Sequence, residues 1–313
     1  MKSHTPSVHY LSAAIILLIS LSTFSCYPGK VETESVHSSA QGEFGRIFEH
    51  GTVRTLIEQT DFAEGPAQTS RGRIFYCEKN VRTIRQITLD GKTVDKIGTP
   101  GGCNGLAIDS DGNFLICANE SKQIVRMSPD GTFTVLADSY EGKPLVFPND
   151  IWLHPRGGFY FTDTNFSGVG GDGDDVYHMA PDMKTLTLVD HDMPNPNGVT
   201  GSPDGTTLYV SNFHMGAKGE TYAFDIEPDG TLENKRLFAW AGEDGAAVDS
   251  GGNIYLTGKT LTVWSPGGIK LDEIAFPERE LLTNCAFVGP DKQTLLVTGW
   301  NGVYSVRTAI TGH

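Results

Sequence analysis

Apolar and polar residues alternate along this chain in short runs, such as Ile124-Val125-Arg126-Met127 and Leu208-Tyr209-Val210-Ser211. A period of two places successive side chains on opposite faces of a β-strand, and no segment carries an apolar stripe at the 3.6-residue helical period. Between the runs stand Asp-Gly and Gly-Gly pairs at 90–91, 111–112, 130–131, 157–158, 204–205, 229–230, 251–252 and 267–268. Such pairs supply the positive φ angles that tight hairpins require. The unit repeats. Glu64, Asn104, Asn149, Asn197, Asp244 and Asn284 each open a short apolar segment and recur every 40 to 48 residues. Ten or eleven residues after each comes a hydrophobic landmark opening a β-rich run: Ile74, Phe114, Phe159, Leu208, Ile254 and Leu295. Six copies of one strand-rich unit at this period predict an all-β fold, a six-bladed β-propeller with four strands per blade.

The last unit is too short for four strands, since little more than Gly302 to Arg307 follows its second one. Thr52 to Glu58, ahead of the first unit, is apolar enough to close the ring by pairing with the last blade and so hide an open edge.

If the six polar residues hold the same place in every blade, they converge on the axis as two carboxylates and four amides. Asn and Asp beside Gly or Pro are ordinary turn formers. Glu64 is not, and six residues in register point to a site. An all-oxygen ring suits a hard cation, Ca²⁺ first, and two axial carboxylates would repel each other without one.

Composition narrows the partners. The chain of 313 residues has 24 basic and 38 acidic side chains, a formal charge of −14, which opposes contact with nucleic acid or an anionic membrane. Lys2 and His4 precede an apolar run from Leu11 to Leu21, a secretory signal ending near Cys26. Cys26, preceded by Ser25, resembles a bacterial lipoprotein attachment site; the alternative is simple cleavage nearby. The organisation is therefore a signal over residues 1–26, a solvated tether over 27–50 and a propeller over 51–310, in an exported protein that is periplasmic or extracellular and either lipid-anchored or free. The small residues Cys77, Cys117, Thr162, Ser211, Thr257 and Thr298 occupy one slot of the repeat, so Cys77 and Cys117 read as packing residues, and Cys103 and Cys285 lie in non-adjacent blades. His154, His178, His191 and His214 fall outside the ring register. No GxSxG elbow, zinc-type Cys/His spacing or phosphate loop occurs.

The segments FAEGPA, PNDIWLHPRGGFYFTD, PNGVTGSPDGTTLYVS and EDGAAVDSGGNIYLTG resemble the signature segments of the senescence marker protein/gluconolactonase family over residues 60–300. This resemblance implies a calcium-dependent six-bladed lactonase. It implies a divalent cation (Ca²⁺, or Zn²⁺, Mn²⁺ or Mg²⁺) held by Glu64, Asn197 and Asp244, with Asn149 reaching the metal or the substrate beside it. Asp244 would act as general base, and Asn149 and Asn104 would face a small lactone or ester. Two positions depart from the family where substrate is chosen: Phe147 replaces an arginine two residues before the Asn of the ND motif, and FTDT replaces FTDP. Both argue against a charged or phosphorylated sugar. The Gly-rich stretch Ser167 to Asp175 reads as a surface loop, with a lid or a second cation site as alternatives. A non-catalytic ligand- or protein-binding propeller is the competing function, and a metal-free condensing propeller resembling strictosidine synthase would have little use for Asp244 and Asn197 together.

Overall fold

The computed structural model describes residues 46–166, 173–214, 218–277 and 280–313. Among these residues the chain forms six four-stranded antiparallel sheets, one two-stranded ribbon (Ser139–Tyr140 with Lys143–Pro144) and a single 3₁₀ turn, Lys79–Val81. The sheets are the blades of a six-bladed β-propeller. Their inner strands are Ala63–Gln68, Leu106–Ile108, Pro148–Leu153, Pro196–Gly201, Ala246–Val248 and Leu282–Val288. The landmark residues sit at or one position into the second strands, because Thr207 and Thr294 begin the fourth and sixth of these one residue early. The glycine in the second position of all eight turn pairs has positive φ, from 69° at Gly205 to 88° at Gly230.

Alternation decides the packing. Phe159 and Phe161 face the preceding blade and join Leu115, Cys117 and Ile124, whereas Tyr160 between them faces the following blade and joins Leu208 and Val210. The same switch occurs in the second blade, where Leu115 looks forward while Phe114 and Ile116 look back onto Phe75. Each of the six junctions between blades is filled by one such cluster. Burial of these apolar faces, rather than one central core, holds the ring together.

Ring closure follows the sequence expectation. Arg54–Glu58 is the outermost strand of the last blade and pairs antiparallel with Gly302–Arg307, Arg54 opposite Ser305 and Glu58 opposite Gly302. Deleting residues 46–58 should leave Gly302–Arg307 as a bare edge. The expected result is a lower melting temperature and concentration-dependent association in sedimentation; an unchanged monomer would show the strand to be dispensable.

One boundary is corrected. Ile47 and Phe48, placed in the tether, are buried at 7% and 1% exposure in the cluster between the last two blades, and Phe48 bridges Thr308. Phe48 meets Tyr255 edge-on at 5.9 Å, so the fold takes up the chain before residue 50. At the other end Gly312 bridges Asp249, beyond the expected limit of 310. The signal, Cys26 and most of the tether lie outside the described residues, as does most of the Gly-rich stretch. Cys77, Cys103, Cys117 and Cys285 are buried free thiols. His154 and His178 pack around Tyr160, His178 stacked on its ring at 4.6 Å, away from the axis.

Candidate metal centre

Glu64, Asn149, Asn197 and Asn284 lie on inner strands, while Asn104 and Asp244 stand two residues ahead of theirs. The pairing register shifts at this point in four blades: between Glu64 and Ala67, Pro148 and Ile151, Pro196 and Val199, and Leu282 and Asn284. A bulge turns the chain locally and re-aims one side chain toward the axis. The residue two positions earlier assists by adopting positive φ at Phe62, Gly102, Asn195 and Gly242.

The position after the ring residue is glycine in four blades: Gly65, Gly105, Gly198 and Gly245. A Cβ on Gly198 would lie 2.1 Å from the Asp244 carbonyl oxygen and 2.5 Å from the Gly245 Cα. Inner strands therefore meet backbone to backbone around the axis. Gly198→Ala should cost about 3 kcal/mol, the scale of overpacking against atoms that cannot move aside, read as a lower urea midpoint. A midpoint equal to the wild type would show that the inner strands can separate. The small-residue slot ties the same strands together. Thr162 Oγ1 donates to the Asn197 carbonyl of the next blade at 2.6 Å, and Thr257 Oγ1 donates to the Gly245 carbonyl of its own blade at 2.6 Å and to the Thr283 carbonyl of the next at 3.2 Å.

The side chains brought together are Glu64, Asn104, Asn149, Asn197, Asp244 and Asn284, and with them Asp150. Asn104 Nδ2 donates to Asn149 Oδ1 at 2.8 Å and Asn197 Nδ2 donates to the Glu243 carbonyl at 3.2 Å. The Oδ1 atoms of Asn104 and Asn197 are buried with no partner. Asn284 differs: its Oδ1 accepts from the Cys285 N–H at 2.8 Å, and its Nδ2 donates to Asp150 Oδ1 at 3.2 Å. It serves the carboxylates as a donor. Asp150 is the residue that one-per-blade reasoning passed over. It is buried, accepts the Val199 N–H at 3.0 Å, and stands where four other blades have glycine.

Three carboxyl groups on one axis are costly as anions. Burial pushes Glu64 up to about 8; Lys79 pulls it back and Asp150 adds to the rise. Burial likewise raises Asp150 to about 6. Asp244 is half-buried, and it is pushed well above the carboxylate range, first by the loss of surrounding water and then by the charges of Glu64 and Asp150. Past the ring the channel continues as a cavity of about 230 Å³ lined by Asp150, Asn284, Trp152, Lys292 and His313 among others.

The donors fit a hard cation. Two carboxylates that resist ionisation side by side, with orphaned amide oxygens between them, lack one positive charge. Among the described residues no three His, Cys, Asp or Glu side chains gather as a metal cluster. Half of this donor set is amide oxygen, which suits Ca²⁺ or Mg²⁺ better than a softer metal.

Residues 29–301 match the SMP-30/Gluconolactonase/LRE-like region. The chain belongs to that family. A gluconolactonase of Zymomonas mobilis is 28% identical over 295 residues, covering 83% of this chain and 82% of its own. The lactonase drp35 of Staphylococcus saprophyticus is 26% identical over 283 residues, with 80% and 84% covered. Among solved structures, a Xanthomonas campestris protein described as a gluconolactonase important in glucose secondary metabolic pathways superposes with a TM-score of 0.73 at 30% identity, over 84% of this chain and 91% of that one.

Proposed function

We propose that this protein is a divalent-cation-dependent lactone hydrolase that uses Asp244 as its general base. That it is an enzyme of the lactonase kind rests on the family and on relatives whose names are gluconolactonase and lactonase. The observation that carries the finer reading is the pairing of Glu64 and Asp244 with the unpartnered Oδ1 of Asn197. Glu64, Asn149, Asn197 and Asp244 would hold the cation. When bound, it supplies the positive charge that keeps both carboxylates ionised and polarises the ester carbonyl.

The protein's own groups then divide the work. Asp244, the less buried of the two ring carboxyls, accepts a proton from the attacking water as the new C–O bond forms. It returns that proton to the ring oxygen as the old C–O bond breaks, leaving a hydroxy acid. Asn104 donates to Asn149 and fixes its amide, so that Asn149 meets cation or substrate in one orientation. Asn284 and the Val199 N–H hold Asp150 below the ring. The substrate is a small lactone or ester.

The deciding experiment is a hydrolysis screen over aldonolactones, aryl esters and phosphotriesters with Ca²⁺, Mg²⁺, Mn²⁺ or Zn²⁺. Lactone hydrolysis that stops with chelator and returns with cation is expected. Failure on all three ester classes with all four cations would favour the binding propeller. The same reading has the protein exported, with Cys26 acylated or removed; the mass of the mature N-terminus decides between them.

A further inference from the structure

Around the end of the channel where Glu64 and Asp244 stand runs an arc of five aromatic rings, two of them joined through Lys79. The Trp300 ring lies 5.5 Å from Phe62. Lys79 Nζ sits 4.4 Å from the Phe62 centroid and 5.0 Å from that of Phe147. Phe147 meets Phe166 at 5.4 Å, and Phe166 meets Phe213 at 5.9 Å, both edge-on. Chain position puts all of them at this mouth: Phe62 and Phe147 come two residues before Glu64 and Asn149, and the others follow the second strands of their blades. Trp300 and Phe166 are 48% and 43% exposed, so the arc does not fill the core.

Two features mark the arc as built. Phe62 has φ 64°, where the matching positions are Gly102, Asn195 and Gly242. A bulky side chain in that region is strained, and the Trp300 carbonyl and the Lys79 N–H hold the Phe62 backbone there at 3.2 and 2.9 Å. Lys79, meanwhile, forms no ion pair with a described residue. It reaches from the first blade to the third, and its charge acts on both Glu64 and Asp244. An ammonium clasped by two ring faces is a preorganised donor.

We propose that this arc sets the substrate class: the rings seat an aryl or alkyl group attached to the lactone, and Lys79 donates a hydrogen bond to an oxygen of its ester. A polyhydroxylated lactone would turn hydroxyls onto phenyl rings that offer them no partner. The inference rests on the lactonase reading above, and its test separates the two.

The test compares coumaranone, an aryl-fused lactone, with gluconolactone in wild type, Lys79→Met, Lys79→Arg and Phe147→Arg. Wild type should favour coumaranone in kcat/KM by about 10-fold or more, the scale of discrimination by an apolar pocket. Lys79→Met should raise KM for coumaranone about 10-fold with its melting temperature unchanged, and Lys79→Arg should restore most of it. Phe147→Arg should shift preference toward gluconolactone. A wild type that prefers gluconolactone, or variants that change both substrates in equal proportion, would overturn the proposal. Calorimetric binding of oxindole, the lactam isostere of coumaranone, supplies a readout without turnover, with and without Ca²⁺. If no lactone is hydrolysed yet oxindole binds and Lys79→Met weakens it, the hydrolase reading falls and the arc stands; if oxindole does not bind, the arc proposal falls.

Discussion

Asp244→Asn should lower turnover by about 10² or more, the usual scale for loss of a general base. Asparagine keeps the size of the side chain and one oxygen for a cation while removing the oxygen that can take a proton. Asp244 is the right place for the test because it is only partly buried, whereas Glu64 is 3% exposed. Glu64 and Asp150 both push Asp244 upward, and such coupling is mutual. Removing the Asp244 charge should therefore ease ionisation of Glu64 and displace the acidic limb of the pH–rate profile downward. Cation content measured on the same sample by mass spectrometry separates a lost base from a lost ligand. Full cation content with full activity would reduce Asp244 to a ligand and end the general-base role.

Much of this architecture was legible because a propeller writes its geometry into a repeat. One polar residue per 40 to 48 positions gave the axis, and a shortfall of strands after Leu295 gave the closure by Arg54–Glu58. The slot at Cys77, Cys117, Thr162, Ser211, Thr257 and Thr298 was also visible, though not its purpose: the hydroxyls of Thr162 and Thr257 tie neighbouring inner strands together. Asp150 was missed for a physical reason. The repeat assigns one axial side chain to each blade, whereas the bulge after Asn149 turns a second one inward. A signal was present, since the residue after the ring position is glycine in four blades and Asp150 breaks that rule. The aromatic arc had no such signature. Its members stand at recurring places, two residues before a ring residue or just past a second strand, but those places lie outside the alternating runs, and only the folded ring brings Lys79 of the first blade against Phe147 of the third. Ile47 and Phe48, two apolar residues in a polar stretch, carry no periodicity and so read as tether, yet their burial in one cluster with Tyr255 needs none.

Cation binding should reverse the way this protein responds to pH. Glu64 at about 8 and Asp150 at about 6 stand above the ordinary carboxyl values of 4.5 and 3.8, and Asp244 is raised as well. A carboxyl whose folded value exceeds its unfolded one stabilises the fold while protonated. That contribution is complete below about pH 4 and is lost as pH rises toward 8, because the unfolded chain then releases protons that the fold retains. Without divalent cation the melting temperature should therefore fall across this interval. A cation needs these groups as anions, so its affinity rises over the same range. With Ca²⁺ at a thousand times its dissociation constant the fold should gain about 4 kcal/mol at pH 8 and less at pH 5. Asp150→Asn separates the contributions: it removes an axial charge below the ring, so the cation-free protein should lose less stability on going from pH 5 to 8. Melting curves recorded with chelator and with Ca²⁺ at both values check the sign. Identical curves at pH 8 would mean that Glu64, Asn149, Asn197 and Asp244 hold no cation, and the ligand-binding propeller would become the better reading.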